Sequence, residues 1–147
     1  MTGAARPILA NSCARAATAE EARFRIDRPI GARSALVVAL DRAAAEVVDR
    51  VAEQPWRGAR FLRAGEASFD LEDVDVIVMI ATADAEADLA RRLADAAFER
   101  GIMTAGLIVG EGSDVAATVS ALRPHARNLM VTDDEEDVAD VLTALRA

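Results

Sequence analysis

Five short apolar runs, spaced by segments of different periodicity, constrain this chain more than anything else in it. They are SALVVAL (34–40), ARFLRA (59–64), DVIVMIA (75–81), IMTAGLIV (102–109) and ARNLMVT (126–132). None shows the in–out alternation of a strand with one wet face. Continuous apolar runs of this length belong to strands buried on both faces, the pattern of a parallel sheet with helices above and below. The intervening segments supply those helices. DRAAAEVVDRVAEQ places Ala44, Val47, Val48 and Val51 on one face. The spacing predicts a second helix from Asp84 to Arg100, with Gly101 where a left-handed residue stops a helix. SDVAATVSALR reads as a third helix, ended by Pro124. EEDVADVLTALRA reads as a fourth, with Val138, Val141, Leu142 and Leu145 on its apolar face. PWRG is a turn, with Trp56 partly buried, and GEASFDLED is a polar link without a helix.

Right-handed crossovers place successive helices on alternate sides of such a sheet. The expectation is an α/β fold of the Rossmann-like kind: a three-layer α/β/α sandwich with a mostly parallel five-stranded sheet, order 2-1-3-4-5. A length of 147 residues suits one domain of this size. Hydrophobic residues make up 52% of the chain but much of that is alanine, and aromatics are only 3%. The large core side chains must therefore be Val, Leu and Ile, with alanines letting helices lie close to the sheet. All 17 basic residues are arginine, and six of them fall in residues 1–33 against three carboxylates. That segment, broken by Pro7, Pro29 and Gly31, reads as an arm preceding a domain at 34–147. The net charge of −8 excludes a general nucleic-acid-binding surface. No apolar run reaches the roughly 20 residues of a membrane span. A single cysteine, Cys13, allows no internal disulfide, and the default is a cytoplasmic bacterial protein.

The segment from Leu71 to about Leu142 resembles the nucleotide-binding domain of the tubulin/FtsZ family. DVDVIVMIA (Asp73–Ala81) stands where that family has an Asp-Ala-Asp opening before an apolar strand. Glu99, Gly101, Thr104, Gly106, Leu107 and Ile108 match its next phrase, and ALRPHARNLMV (Ala121–Val131) matches a later one. Phosphosugar-binding domains of the SIS type are similar over DVIVMIA and Ser120–Val131. The resemblance implies a nucleotide-type fold, and the departures from it imply a lost activity. The family wraps phosphates in glycine-rich loops, because the backbone must come close and point successive N–H groups at the anion. Ala81–Leu89 contains no glycine, and ALDRAAAEVV (Ala39–Val48) replaces the family's glycine run after the first strand.

Ligands of open α/β sheets sit beyond the carboxyl ends of the strands. Here those turns carry Asp41, then Asp84, Glu86 and Asp88, then Glu111 and Asp114, then Asp133 to Asp137. Carboxylates in a first helical turn offset the macrodipole and cap free N–H groups. They thus occupy the positive pole that a phosphate would use, and together they oppose a polyphosphate by Coulomb repulsion. The candidate ligand-binding residues are Thr82, Asp84, Gly110, Gly112 and Ser113. Thr82 either orients a ligand or caps the following helix, and Ser113 is read as a cap. Asp84, Asp133 and Asp134 are oxygen donors suited to a divalent cation. A cationic partner suits the edge better: the chain's own arm, with Arg15, Arg23, Arg25, Arg28 and Arg33, or another protein. His125 reads as a solvated loop residue. The sequence points to a non-catalytic domain without a cofactor, acting in protein interaction or regulation, with a homodimer expected. The alternative is a domain binding a nucleotide or sugar phosphate, and a metal-using enzyme stands third.

Overall fold

β3 (Val76–Ala81) is the central strand of the sheet, and all six of its residues are buried. The computed structural model describes residues 31–63, 68–83, 85 and 87–147. The expected arm at 1–33 therefore lies outside the described residues, except for its last three positions. β3 pairs with β1 (Ala35–Ala39) on one side and with β4 (Met103–Val109) on the other. β2 (Ala59–Leu62) and β5 (Asn128–Thr132) form the two ends. Every pairing is parallel and the order is β2-β1-β3-β4-β5, as the alternation of runs predicts.

Side-chain alternation along the strands divides the core in two. Leu36, Val38, Ile77 and Met79 point to one face, where Leu89, Ala90, Leu93 and Ala97 of α2 (Ala87–Arg100) and Leu122 of α3 (Ala116–Leu122) cover them. Ala35, Val37, Val76, Val78 and Ile80 point to the other. There they meet Ala44, Val47, Val48 and Val51 of α1 (Arg42–Ala52) and Val138 and Leu142 of α4 (Glu136–Ala144). This is the expected three-layer sandwich. Each large aliphatic side chain buried this way is worth about 1.5–3 kcal/mol.

The helix ends differ from the sequence reading in detail. α2 is described from Ala87, and Asp84, near which it is expected to begin, lies outside the described residues. It stops where expected, at Gly101, whose φ of +67° turns the chain so that the Ile102 N–H reaches back to the Ala97 carbonyl at 2.9 Å. The segment read as one helix from Ser113 begins instead with a 3-10 turn, Gly112–Val115, before α3. Trp56 is half-buried: its Nε1–H donates to the Val51 carbonyl at 2.7 Å, and its ring centroid lies 6.4 Å from that of Phe61.

Two elements are less covered than their patterns imply. On α4, Val138 and Leu142 are buried while Val141 and Leu145 are only half-buried. On β5, Met130 is 50% and Val131 46% exposed, so the end strand is wet on both faces. The periodicity identifies an apolar helix face but does not say how far the sheet extends beneath it. Leu142→Ala is expected to lower the free energy of unfolding by about 2–5 kcal/mol. Leu145→Ala, half-open already, should cost less than about 2 kcal/mol. Urea denaturation of the two variants beside the parent chain checks the difference.

Candidate functional site

The strand order reverses between β1 and β3, because the chain leaves β1 for β2 on one side and returns to β3 on the other. The crevice beyond the carboxyl ends of those two strands is where this architecture holds a ligand. The register carries two residues into it. Ala39 lies beside Ile80, and the Leu40 N–H continues the ladder to the Ile80 carbonyl at 2.8 Å. Two residues further along, Asp41 faces Thr82.

Asp41 is 6% exposed and accepts three hydrogen bonds. Its Oδ1 takes the Ala44 N–H at 2.8 Å, so the same residue ends the strand segment and caps α1 from extended backbone at φ −146°. Oδ1 also accepts the Thr82 hydroxyl at 2.7 Å, and Oδ2 accepts the Thr82 N–H at 2.7 Å. The Thr118 hydroxyl of α3 donates to the Thr82 carbonyl at 2.9 Å and the Ala83 carbonyl at 3.1 Å. A carboxylate buried without partners is strongly unfavourable; here the three donors and the amino end of α1 offset that cost. The chemical consequence follows directly. The Ala44 and Thr82 N–H groups that an anion would use in this crevice are already held by an internal anion.

The turns after β4 and β5 are knitted separately. The Gly110 N–H donates to the Thr132 carbonyl at 2.8 Å. The Thr132 hydroxyl donates to the Asp137 carboxylate and accepts the Asp134 N–H, the latter at 3.0 Å. Asp134 Oδ1 accepts the Glu136 N–H at 2.8 Å. Glu135 forms a forked ion pair with Arg50 of α1, with N–O distances from 2.7 to 3.0 Å. Both partners are about half-exposed, so the pair contributes roughly 0.2–1 kcal/mol. The acidic edge is thus less uniform than the residue count implies. Asp41, Asp134, Glu135 and Asp137 each have a local partner, whereas Glu111, Asp114, Asp133 and Glu136 face solvent.

The ligand candidates are not brought together as one constellation. Thr82 is in the crevice, and its hydroxyl serves Asp41. Asp84 lies outside the described residues. Gly110 and Gly112 have positive φ, +155° and +51°. Ser113 is exposed inside the 3-10 turn, whose capping position is Glu111 with no side-chain cap bond, so the expected cap role of Ser113 is not realised. Of the candidate cation ligands, Asp133 is exposed and Asp134 is committed to its own turn. Among the described residues, no group of three His, Cys, Asp or Glu is arranged to hold a metal ion. His125 is half-buried in the turn before β5, at the opposite end of the sheet.

The sequence reading counted Asp41 among helix-capping acids and missed its bond to Thr82, as it missed Thr118. A signal for the first was present. In the order 2-1-3-4-5, runs one and three are neighbours, and aligning VVALD with VMIAT places the acid beside the threonine. Thr118 is reached only through the tertiary path of α3, and no spacing announces it.

No family model, curated protein or solved structure matches the chain. Fold and site together define its class: a three-layer α/β domain of order 2-1-3-4-5 whose switch-point crevice is closed by its own carboxylate. Asp41→Asn cannot serve all three donors, because one carboxylate oxygen becomes an NH2 group facing either an N–H or a hydroxyl. The substitution is expected to destabilise the fold by about 1–3 kcal/mol. Thr82→Val, which keeps the N–H bond, should cost about 1 kcal/mol. Thermal or urea unfolding of the single and double variants checks both values, and the double should cost less than their sum because the two side chains share a bond.

Proposed function

We propose that this chain is a non-catalytic interaction or regulatory domain, built on a nucleotide-type α/β fold that has replaced the bound phosphate with a carboxylate. The observation that carries this reading is Asp41, which holds the Ala44 and Thr82 N–H groups at 2.7–2.8 Å. A phosphate entering there would have to displace a buried carboxylate from its donors and then lie against it. Coulomb repulsion opposes that approach, and the chain has no lysine to counter it. The glycine-free stretch Ala81–Leu89 supports the same reading, as does the similarity to a tubulin/FtsZ-type domain without its phosphate loops. The protein is then one that works by contact, with itself or another chain, in a bacterial cytoplasm and without a cofactor.

One observation favours a different reading. Gly110 and Gly112, both at positive φ, shape the turn after β4, and Ser113 is exposed beside them. The Gly110 N–H is held by the Thr132 carbonyl, so a small nucleotide or sugar phosphate would bind at the Gly112–Ser113 part of this turn. A thermal-shift screen with GTP, ATP, sugar phosphates, Mg²⁺ and Ca²⁺ separates the two. A ligand at 100 times its dissociation constant stabilises by about 2.7 kcal/mol, a shift of several degrees in a chain this size. No compound is expected to raise the melting temperature. A saturable shift with any phosphate compound, abolished by bulky substitution at Gly112, would establish the small-ligand reading instead.

A further inference from the structure

Of the three large hydrophobic residues most exposed among the described residues, two are neighbours on one strand: Met130 and Val131 of β5, at 50% and 46%. β5 ends the sheet, with no strand beyond it among the described residues. Its backbone is ready to pair. The Thr132 carbonyl is turned inward to the Gly110 N–H at 2.8 Å. Successive residues of a strand point their N–H and carbonyl groups to opposite edges, so those of Leu129 and Val131 face outward. An apolar strand edge of this kind is a template for another strand unless charge or proline blocks it. β5 contains neither within Asn128–Thr132.

The charges that flank the strand identify what fits it. Arg127 lies three residues before Met130, and Asp133 three residues after. Both are exposed, and neither has an ion pair among the described residues. A second β5, run antiparallel about a two-fold axis at Met130, brings Arg127 opposite Asp133 of the partner subunit, and the reverse pair follows by symmetry. The same register sets Leu129 opposite Val131 of the partner subunit, and Met130 against its own copy. It also matches the outward N–H and carbonyl of Leu129 with those of Val131 of the partner subunit. A shift of the axis by one residue toward the amino end sets Arg127 opposite Val131 of the partner subunit, and one toward the carboxyl end sets it opposite Glu135 of the partner subunit, a residue that Arg50 already holds within each copy. The strand is therefore complementary to itself in charge, in apolar pairing and in backbone hydrogen bonding.

A second feature lies beside it. Val78, Ala105, Leu107, Met130, Val141 and Leu145 line an open apolar groove of about 520 Å³ between the sheet and α4. Antiparallel pairing places Met130 of the partner subunit on the face of this groove and extends the apolar surface under α4. We propose that two copies of the chain join edge to edge through β5, forming one continuous ten-stranded sheet across a two-fold axis at Met130. This rests on the reading of the chain as an interaction domain and names a second copy of the chain as its partner.

The test is the mass in solution of the full chain, measured by sedimentation or light scattering at tens of micromolar. The parent chain is expected at twice the chain mass. Arg127→Asp sets two acids face to face, and Asp133→Arg two arginines. Each should raise the dimer dissociation constant by about tenfold or more. The double variant Arg127→Asp with Asp133→Arg restores opposite charges in the same register and should recover the dimer. Circular dichroism confirms that each variant is folded, since both positions are exposed. A parent chain that stays monomeric at 100 μM, or a dimer unmoved by either single reversal, overturns the inference. Phosphate-ligand titration of the same samples keeps the two readings apart. A monomer that binds no phosphate compound removes only the dimer, whereas a dimer that binds one removes the interaction-domain reading.

Discussion

The Asp41 carboxylate ties together parts of the molecule that are far apart in sequence. It caps α1 through Ala44, fixes the carboxyl end of β1 beside β3 through Thr82, and reaches α3 through the Thr82–Thr118 bonds. Its geometry depends on register: moving β1 by one residue against β3 would take Asp41 away from Thr82. The same slip would exchange the side chains that face α1 and α4 with those that face α2 and α3. Because Leu36, Val38, Ile77 and Met79 are already buried on one face and Val37, Val76, Val78 and Ile80 on the other, packing and hydrogen bonding enforce one alignment. Closing the crevice is thus part of how the sheet is aligned.

That arrangement also explains an economy of composition. A fold that binds phosphate leaves backbone N–H groups at the crevice unpaired until ligand arrives, and it uses glycines to bring them close. Here the donors are paired within the chain, so alanines and acids can take those positions without leaving buried groups unsatisfied. No buried side-chain nitrogen or oxygen among the described residues lacks a hydrogen-bond partner. Asp134 and Thr132 satisfy the turn after β5 in the same manner, with their side-chain oxygens accepting the Glu136 and Asp134 N–H groups.

Most of the architecture was legible in the sequence because it follows from local periodicity. The runs containing Val76–Ala81 and Ala35–Ala39 are buried on both faces as their continuous apolarity requires. Gly101 stops α2, and Ala44, Val47, Val48 and Val51 form the buried face of α1. What periodicity does not encode is the lateral position of an element. ARNLMVT goes to the end of the sheet because of the strand order and not because of its own pattern, and there Met130 and Val131 are about half-exposed. Likewise Ser113 has the chemistry of a cap but falls two residues past the capping position, Glu111, because the 3-10 segment starts at Gly112. The site was half legible: the acids were located at the carboxyl ends, but which acid was buried and which solvated depended on contacts between β1, β3 and α3.

The uneven placement of charge bears on how such a domain meets a copy of itself. The carboxyl end of the sheet exposes Glu111, Asp114, Asp133 and Glu136, while the turn before β5 at the amino end carries Arg123, His125 and Arg127. Parallel association of two copies would set the two acidic ends side by side, within the roughly 8 Å over which exposed charges interact at physiological salt. Antiparallel association about Met130 sends the acidic ends to opposite sides and lays each beside the arginines of the other copy. The orientation of the strands and the charge at their ends therefore favour the same two-fold arrangement. Exposed charge pairs of this kind add little to affinity, but like charges brought together exclude a competing alignment. In the proposed dimer, polarity along β5 selects the geometry, while Leu129, Met130 and Val131 supply the apolar contact.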